Sequence, residues 1–136
     1  MKTVAAGVLV RKGRILVARR KRAGGAPGKW EFPGGTVEPG ETPEQGLVRE
    51  LREELAIKSR AGVLLGSTSG GSGSRRFELM VFDVSSFSGE PRPVDHDEIL
   101  WVAPSDLASF DLAEADRRVL PSVLAAHPGR TGKGFG

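Results

Sequence analysis

The stretch Gly35-Thr36-Val37-Glu38-Pro39-Gly40-Glu41-Thr42-Pro43-Glu44-Gln45-Gly46-Leu47-Val48-Arg49-Glu50-Leu51-Arg52-Glu53-Glu54-Leu55-Ala56-Ile57 carries most of what this sequence says about its own fold. Thr42 suits a helix N-cap and Pro43 the first helical position, and Gln45 completes a Thr-x-x-Gln capping box, in which each side chain satisfies a backbone N–H of the other. The spacing predicts a helix from Pro43 to about Leu55. At about 100° per residue, Glu50, Glu53 and Glu54 stand at i, i+3 and i+4 and share one face. Leu47, Val48, Leu51 and Leu55 gather on a face roughly 120° away. One side of the helix therefore packs, and the neighbouring side holds acid. Like charges at these spacings cost a few tenths of a kcal/mol per pair, roughly, so something must offset them. Arg49 and Arg52 flank the cluster and can do so by ion pairing, which alone would make this an ordinary solvated acidic face.

Outward from this helix, strands and helices are mixed. Residues 4–10 and 15–18 are short Val/Leu/Ile-rich runs separated by Arg11-Lys12-Gly13-Arg14, which reads as a β-hairpin with Gly13 in the turn. Residues 23–29 form a loop by composition, Trp30-Glu31-Phe32 is a short extended segment, and Pro33-Gly34-Gly35 breaks it. Residues 62–68 and 77–84 read as strands around a Ser/Gly-rich loop at 67–74. Residues 85–97 read as loop, 99–102 as a short strand, and Pro104-Ser105-Asp106 as the start of a helical turn. Residues 113–126 show a second amphipathic helix with Ala115, Val119, Val123 and Leu124 as core positions. The tail 127–136 is rich in Gly and basic residues and is expected to be disordered. With no internal repeat, one α/β or α+β domain over residues 1–126 is expected.

The 136 residues suffice for one domain with a sizeable core. The absence of cysteine removes disulfides, thiolate metal sites and cysteine nucleophiles. No run of about 18 apolar residues exists to span a membrane, and Met1-Lys2-Thr3-Val4 runs straight into a strand-like pattern without the apolar region of a signal peptide. A soluble, cytoplasmic protein is the expectation. The net charge of +3 comes largely from a basic run, Arg11, Lys12, Arg14, Arg19, Arg20, Lys21 and Arg22, and from Arg130 and Lys133. These residues suit a solvated surface, and some of Arg19 to Arg22 suit phosphate. The run lacks interleaved aromatics and the chain has no tyrosine for base stacking, so no nucleic-acid partner is expected.

The quoted stretch closely resembles the Nudix box, G-x5-E-x7-R-E-U-x-E-E-x-G-U with U a bulky aliphatic residue. Gly35, Glu41, Arg49, Glu50, Leu51, Glu53, Glu54 and Ile57 match it in register. One position departs: the last glycine of the box is Ala56, where a helix-ending left-handed conformation would cost alanine on the order of 1 kcal/mol. The resemblance implies the Nudix fold, a mixed β-sheet sandwiched between helices with the box as a loop-helix-loop motif. It implies a metal-dependent hydrolase, with Mg2+ as the metal and Mn2+ as a substitute. Glu50, Glu53 and Glu54 would be metal ligands and catalytic acids, joined by a backbone carbonyl at Gly34 or Gly35. Arg49 would orient the acids, and Glu41 would support the motif. A further acid is expected from Asp95-His96-Asp97-Glu98, with Asp95 favoured over Asp97; His96 reads as a solvated loop histidine or a base. Such chemistry suits a nucleoside triphosphate, because divalent cations reconcile a carboxylate cluster with a polyanion and lower the pKa of a bound water.

Trp30-Glu31-Phe32-Pro33-Gly34-Gly35 and Gly40-Glu41-Thr42-Pro43-Glu44-Gln45 resemble the MutT-type branch, which sanitises oxidised guanine nucleotides; weaker similarity covers roughly residues 3–125. By that resemblance Arg20 holds phosphate, Phe32 offers backbone groups to the base, Arg75, Phe77 and Leu79 line the base pocket, and Asp116 reads the base edge. The guanine-selective bacterial enzymes carry asparagine at the position of Asp116. An ionised aspartate only accepts hydrogen bonds and prefers an exocyclic amine such as that of cytosine, whereas a protonated one can still serve guanine. Asp116 is otherwise an exposed helix charge. The readings are a pyrophosphohydrolase of 8-oxo-dGTP, one of CTP, dCTP or 5-methyl-dCTP, or a non-catalytic Nudix-like nucleotide sensor, as monomer or homodimer. The short chain makes mRNA decapping a poor fit.

Overall fold

The computed structural model describes residues 1–21 and 28–129. Most of the expected 23–29 loop, Arg22, and residues 130–136 with Arg130 and Lys133 lie outside the described residues.

Consecutive residues of the first strand face two different cores. Ala5 and, just beyond the strand, Leu9 pack with Leu47, Leu51 and Leu55, whereas Ala6 and Val8 pack with Ala115, Val119 and Val123. The period-2 alternation of a strand thus places one helix on each side of the sheet. The strands are β1 (Lys2–Val8), β2 (Val10–Arg11), β3 (Arg14–Arg19), β4 (Trp30–Glu31), β5 (Gly34–Thr36), β6 (Lys58–Gly70), β7 (Phe77–Ser88) and β8 (Glu98–Val102). The helices are α1 (Pro43–Leu55) and α2 (Glu114–Ala126), with short 3-10 turns at Gly73–Arg75 and Pro104–Ser109. One sheet runs β5-β1-β7-β6; β1 pairs parallel with β7, and the other pairings are antiparallel. A second sheet is built on β3, which pairs with β2, β4 and β8. This is the expected α+β arrangement of mixed sheet and flanking helices. Among the described residues no helix is long and apolar enough to cross a membrane.

Residues 4–10 are not one strand. The chain leaves the first sheet at Val8 and enters the second at Val10, and the Leu9 carbonyl accepts from the Leu16 N–H at 3.1 Å. The hairpin lies between β2 and β3, with Lys12 (φ 54°) and Gly13 (φ 76°) both at positive φ, as a two-residue type I′ turn requires. Gly34 and Gly35, expected to break the chain, instead form β5 against β1. A side chain on Gly34 would place its Cβ 2.0 Å from the Ala5 carbonyl oxygen, so the close approach depends on glycine. The strands after α1 run longer than composition suggests. β6 pairs as far as Gly70 with Phe77, through the Ser/Gly segment expected to be loop, because ladder hydrogen bonds use backbone and need no apolar side chain. β7 continues to Ser88, inside the expected 85–97 loop. At the described start of the tail, the His127 ring lies 2.8 Å from Asp83 Oδ1.

α1 matches its expected bounds. The Thr42 side chain accepts from the Gln45 N–H at 3.1 Å and the Gln45 side chain accepts from the Thr42 N–H at 2.9 Å. Its C-cap is Ala56 in the left-handed region at φ 59°, ψ 37°, the conformation expected for the missing glycine.

Candidate active site

Burial of Leu47, Leu51 and Leu55 against the β1–β7 sheet fixes the rotation of α1 and turns its acidic side toward β5. The contact there is close: a Cβ on Gly35 would lie 2.4 Å from the Glu50 carboxyl carbon. Arg49 is the hub of the acidic face. Its guanidinium grips Glu41 twice, at 2.7 and 3.1 Å, and donates to Glu50 at 3.2 Å, Glu53 at 3.1 Å and the Thr36 carbonyl at 3.0 Å. The Glu41 bond raises the arginine's pKa further above its usual range and holds the Glu41 carboxyl below the usual carboxylate range. Glu41 also accepts from the Glu38 N–H at 2.9 Å, which ties the loop to the helix.

Glu54 behaves differently from its neighbours. Burial first, then the charges of Glu50, Glu31 and Asp95, push its carboxyl up to about 8 against one backbone hydrogen bond from Gly34. Its Oε1 is buried without a partner among the described residues. Asp95 comes near because the loop after β7 is pinned to the end of α1: Arg92 N–H bonds Leu55 O at 2.9 Å and Val94 N–H bonds Glu54 O at 3.0 Å. Asp95 is exposed, with Lys21 at 3.8 Å; Glu98 pairs with Arg19 at 3.4 Å, and the Asp97 N–H bonds Arg19 O at 3.1 Å. Of the loop acids, Asp95 is the one whose charge acts on Glu54.

Among the described residues no three His, Cys, Asp or Glu side chains converge on one point as a ready metal cage. Glu50 and Glu53 each lean on Arg49, whose guanidinium supplies positive charge between them. The residues nonetheless fit a divalent cation. An unpartnered buried carboxylate oxygen on Glu54, like charges around it, and glycine backbone against Glu50 make an all-oxygen donor set of the kind hard cations take. Glu50, Glu53, Glu54, Asp95 and the Gly34 or Gly35 carbonyl would hold it.

Beside this acidic face lies a cavity of about 180 Å³ lined by Lys2, Val4, Ala6, Arg20, Glu31, Phe32, Gly34, Phe77, Leu79 and Asp116. Arg20, Phe32, Phe77, Leu79 and Asp116 are therefore brought together. Arg75 is not part of the lining; it stands exposed in the 3-10 turn after β6. Asp116 is no exposed helix charge: it is 4% exposed, and its Oδ2 accepts from the Phe32 N–H at 2.9 Å. That bond occupies the Phe32 N–H, one of the backbone groups expected to meet the base. Burial, then the charge of Glu31, pushes the Asp116 carboxyl up to about 7, opposed by the Phe32 N–H and by Arg20.

His96, read from sequence as a solvated loop histidine or a base, is buried, and its Nε2 lies 2.9 Å from Glu31 Oε2. The loop turns inward at this residue, and the acid at its end is one that sequence reasoning passed over. Glu31 bonds Arg20 Nε at 2.5 Å and His96, and its charge bears on both Glu54 and Asp116. The available signal was a lone acid between two large aromatics in a short extended segment. A larger cavity of about 490 Å³, lined by Lys12, Arg14, Pro104 and Pro128 among others, includes none of these groups.

A family model for the NUDIX domain matches residues 1–123. The chain belongs to the Nudix family. It is 36% identical over 127 residues to the CTP pyrophosphohydrolase of Escherichia coli (strain K12), covering 93% of this chain and 94% of that protein. It is 31% identical over 121 residues to the 8-oxo-dGTP diphosphatase of the same organism, covering 88% and 94%. The solution structure of the E. coli ORF135 protein superposes with a TM-score of 0.85 at 36% identity, covering 97% of this chain and 94% of the other. The protein is thus a Nudix hydrolase, of a family that uses divalent metal ions and acts on nucleotides.

Proposed function

We propose that this Nudix hydrolase converts a nucleoside triphosphate to the monophosphate and pyrophosphate with Mg2+, that Mn2+ can replace Mg2+, and that Asp116 selects the base. The observation that carries the reading is a buried aspartate on the wall of a cavity that adjoins the carboxylate cluster. Gly34 lies on that wall, and its neighbour Gly35 abuts Glu50, so a base in the cavity would leave its phosphates near the acids. Bound there, the cation would offset the phosphate charge and lower the pKa of the attacking water. Glu50, Glu53, Glu54 and Asp95 would hold it, and one of Glu50, Glu53, Glu54 or Asp95 would take the proton from that water. Arg20, lining the cavity beside Glu31, binds phosphate.

Oδ2 of Asp116 is engaged by Phe32, so its other oxygen is the one available to a base. In the ionised form that oxygen accepts from an exocyclic amine, which favours cytidine triphosphates: CTP, dCTP and 5-methyl-dCTP. The E. coli CTP pyrophosphohydrolase, 36% identical, supports this choice. The second reading, 8-oxo-dGTP, rests on the same residue. With its pKa pushed up to about 7, the acid form is well populated near neutrality and can donate to a purine carbonyl. Either substrate would make the enzyme a nucleotide-pool sanitiser or regulator.

The test is pyrophosphate release with Mg2+ across CTP, dCTP, 5-methyl-dCTP, dGTP, 8-oxo-dGTP, nucleotide sugars and diadenosine polyphosphates. Turnover is expected for the cytidine triphosphates and 8-oxo-dGTP. Glu53→Gln should lower kcat by about 100-fold or more with an unchanged circular dichroism spectrum. Absence of pyrophosphate from every triphosphate, or near-normal turnover in Glu53→Gln, overturns the proposal.

A further inference from the structure

His96 is a buried polar residue that the proposed chemistry does not use. Its neighbours Asp95 and Asp97 point to solvent while its ring turns inward. A Glu31 carboxylate can only accept, so the hydrogen of the 2.9 Å bond sits on His96 Nε2. The ring's Nδ1 is buried without a partner among the described residues, so Nε2 carries the ring's hydrogen-bonded link to the protein. Glu31 in turn divides its two oxygens, with Oε2 to His96 and Oε1 to Arg20 Nε at 2.5 Å. β4, which carries Glu31, is only two residues long, so backbone pairing alone does little to fix that side chain. Without a donor on Oε2, half of a largely buried carboxylate would lack a partner beside the carboxyls of Glu54 and Asp116.

We propose that His96 is a positioning residue: it fixes Glu31, Glu31 fixes the Arg20 guanidinium on the cavity wall, and this linkage sets how tightly the nucleotide is held. The inference rests on the proposed use of the cavity by a nucleoside triphosphate. A merely structural role would anchor the loop that bears Asp95. That role predicts a different outcome, a higher Mg2+ requirement and lower kcat with nucleotide affinity unchanged.

The experiment compares wild type, His96→Leu and His96→Gln with dCTP and 8-oxo-dGTP, varying nucleotide at saturating Mg2+ and Mg2+ at saturating nucleotide. His96→Leu should raise KM by about tenfold with kcat nearly unchanged, the size of effect expected for one lost charge-assisted hydrogen bond. His96→Gln, whose amide can donate to Glu31, should restore KM. In parallel, side-chain 15N NMR follows Arg20 Nε–H, whose slow solvent exchange should be lost in the leucine variant and kept in the glutamine variant. If the leucine variant does not fold, His96→Asn replaces it with the same expected result, its amide being too short to reach Glu31. An unchanged KM, a shifted Mg2+ requirement at constant KM, or an unaffected Arg20 signal overturns the inference. If the wild type turns over neither nucleotide, the proposed function fails, and the Arg20 signal alone still decides the linkage.

Discussion

If Asp116 reads the base, the substrate preference of the enzyme must change with pH. Its carboxyl is pushed up to about 7, so the ionised fraction passes through one half near neutrality. The ionised form suits the cytosine amine and the acid form a guanine carbonyl. The ratio of kcat/KM for dCTP to that for 8-oxo-dGTP therefore rises with pH. In the limit where each form serves one base only, the ratio follows the ionised-to-acid ratio, about tenfold per pH unit and about 100-fold between pH 6 and 8. Because kcat/KM reports the free enzyme, the titration of Glu54 and of any metal-bound water affects both substrates alike and cancels in the ratio. Paired initial-rate measurements at constant ionic strength and saturating Mg2+ give the profile. Asp116→Asn should flatten it and shift preference toward 8-oxo-dGTP. A wild-type ratio constant within about twofold over that range would rule out base reading by Asp116. Stability offers a check that needs no substrate. A raised folded-state pKa means stability is fully present below the unfolded value near 4 and is lost as pH rises through about 7. Asp116→Asn, which keeps an acceptor for the Phe32 N–H, should therefore stabilise the protein at pH 8, by at most about 4 kcal/mol, and much less at pH 4. Denaturant titrations at the two pH values measure this.

Two further predictions concern glycine positions. Ala56 sits at φ 59°, so Ala56→Gly should stabilise the protein by about 1 kcal/mol, seen as a Tm raised by a few degrees with kcat unchanged; no change in Tm would mean the cap is unstrained. Gly35→Ala should push the Glu50 carboxylate aside and lower kcat while the fold survives, because the obstructing atoms end a flexible side chain. Gly34→Ala, whose Cβ would meet the Ala5 backbone, should instead fail in a thermal melt. Equal behaviour of the two variants would count against the close packing of β5 between β1 and α1.

The local features of the box were legible from sequence because they are set by neighbours along the chain. The capping box, the bounds of α1 and the shared face of Glu50, Glu53 and Glu54 follow from helical geometry and lie where the spacing put them, and Ala56 is left-handed where the resemblance to the box implied a helix-ending glycine. Strand limits were less legible. The Ser/Gly end of β6 is held by backbone pairing to β7, and the break at Leu9 by the need to supply two sheets; neither leaves a mark in side-chain periodicity.

Helical spacing alone puts Glu50, Glu53 and Glu54 on one face, because residues three and four apart on a helix must be neighbours, and the resemblance to the Nudix box is what gives that face its expected metal role. Which distant groups join that face is set by how the chain packs. Packing of α2 and of the loop after β7 against the sheets buries Asp116, His96 and one oxygen of Glu54 around Glu31, residues up to 85 positions apart in the chain. Burial and convergent charge, which move the carboxyls of Asp116 and Glu54 toward neutrality, are properties of that assembled environment and of no single segment.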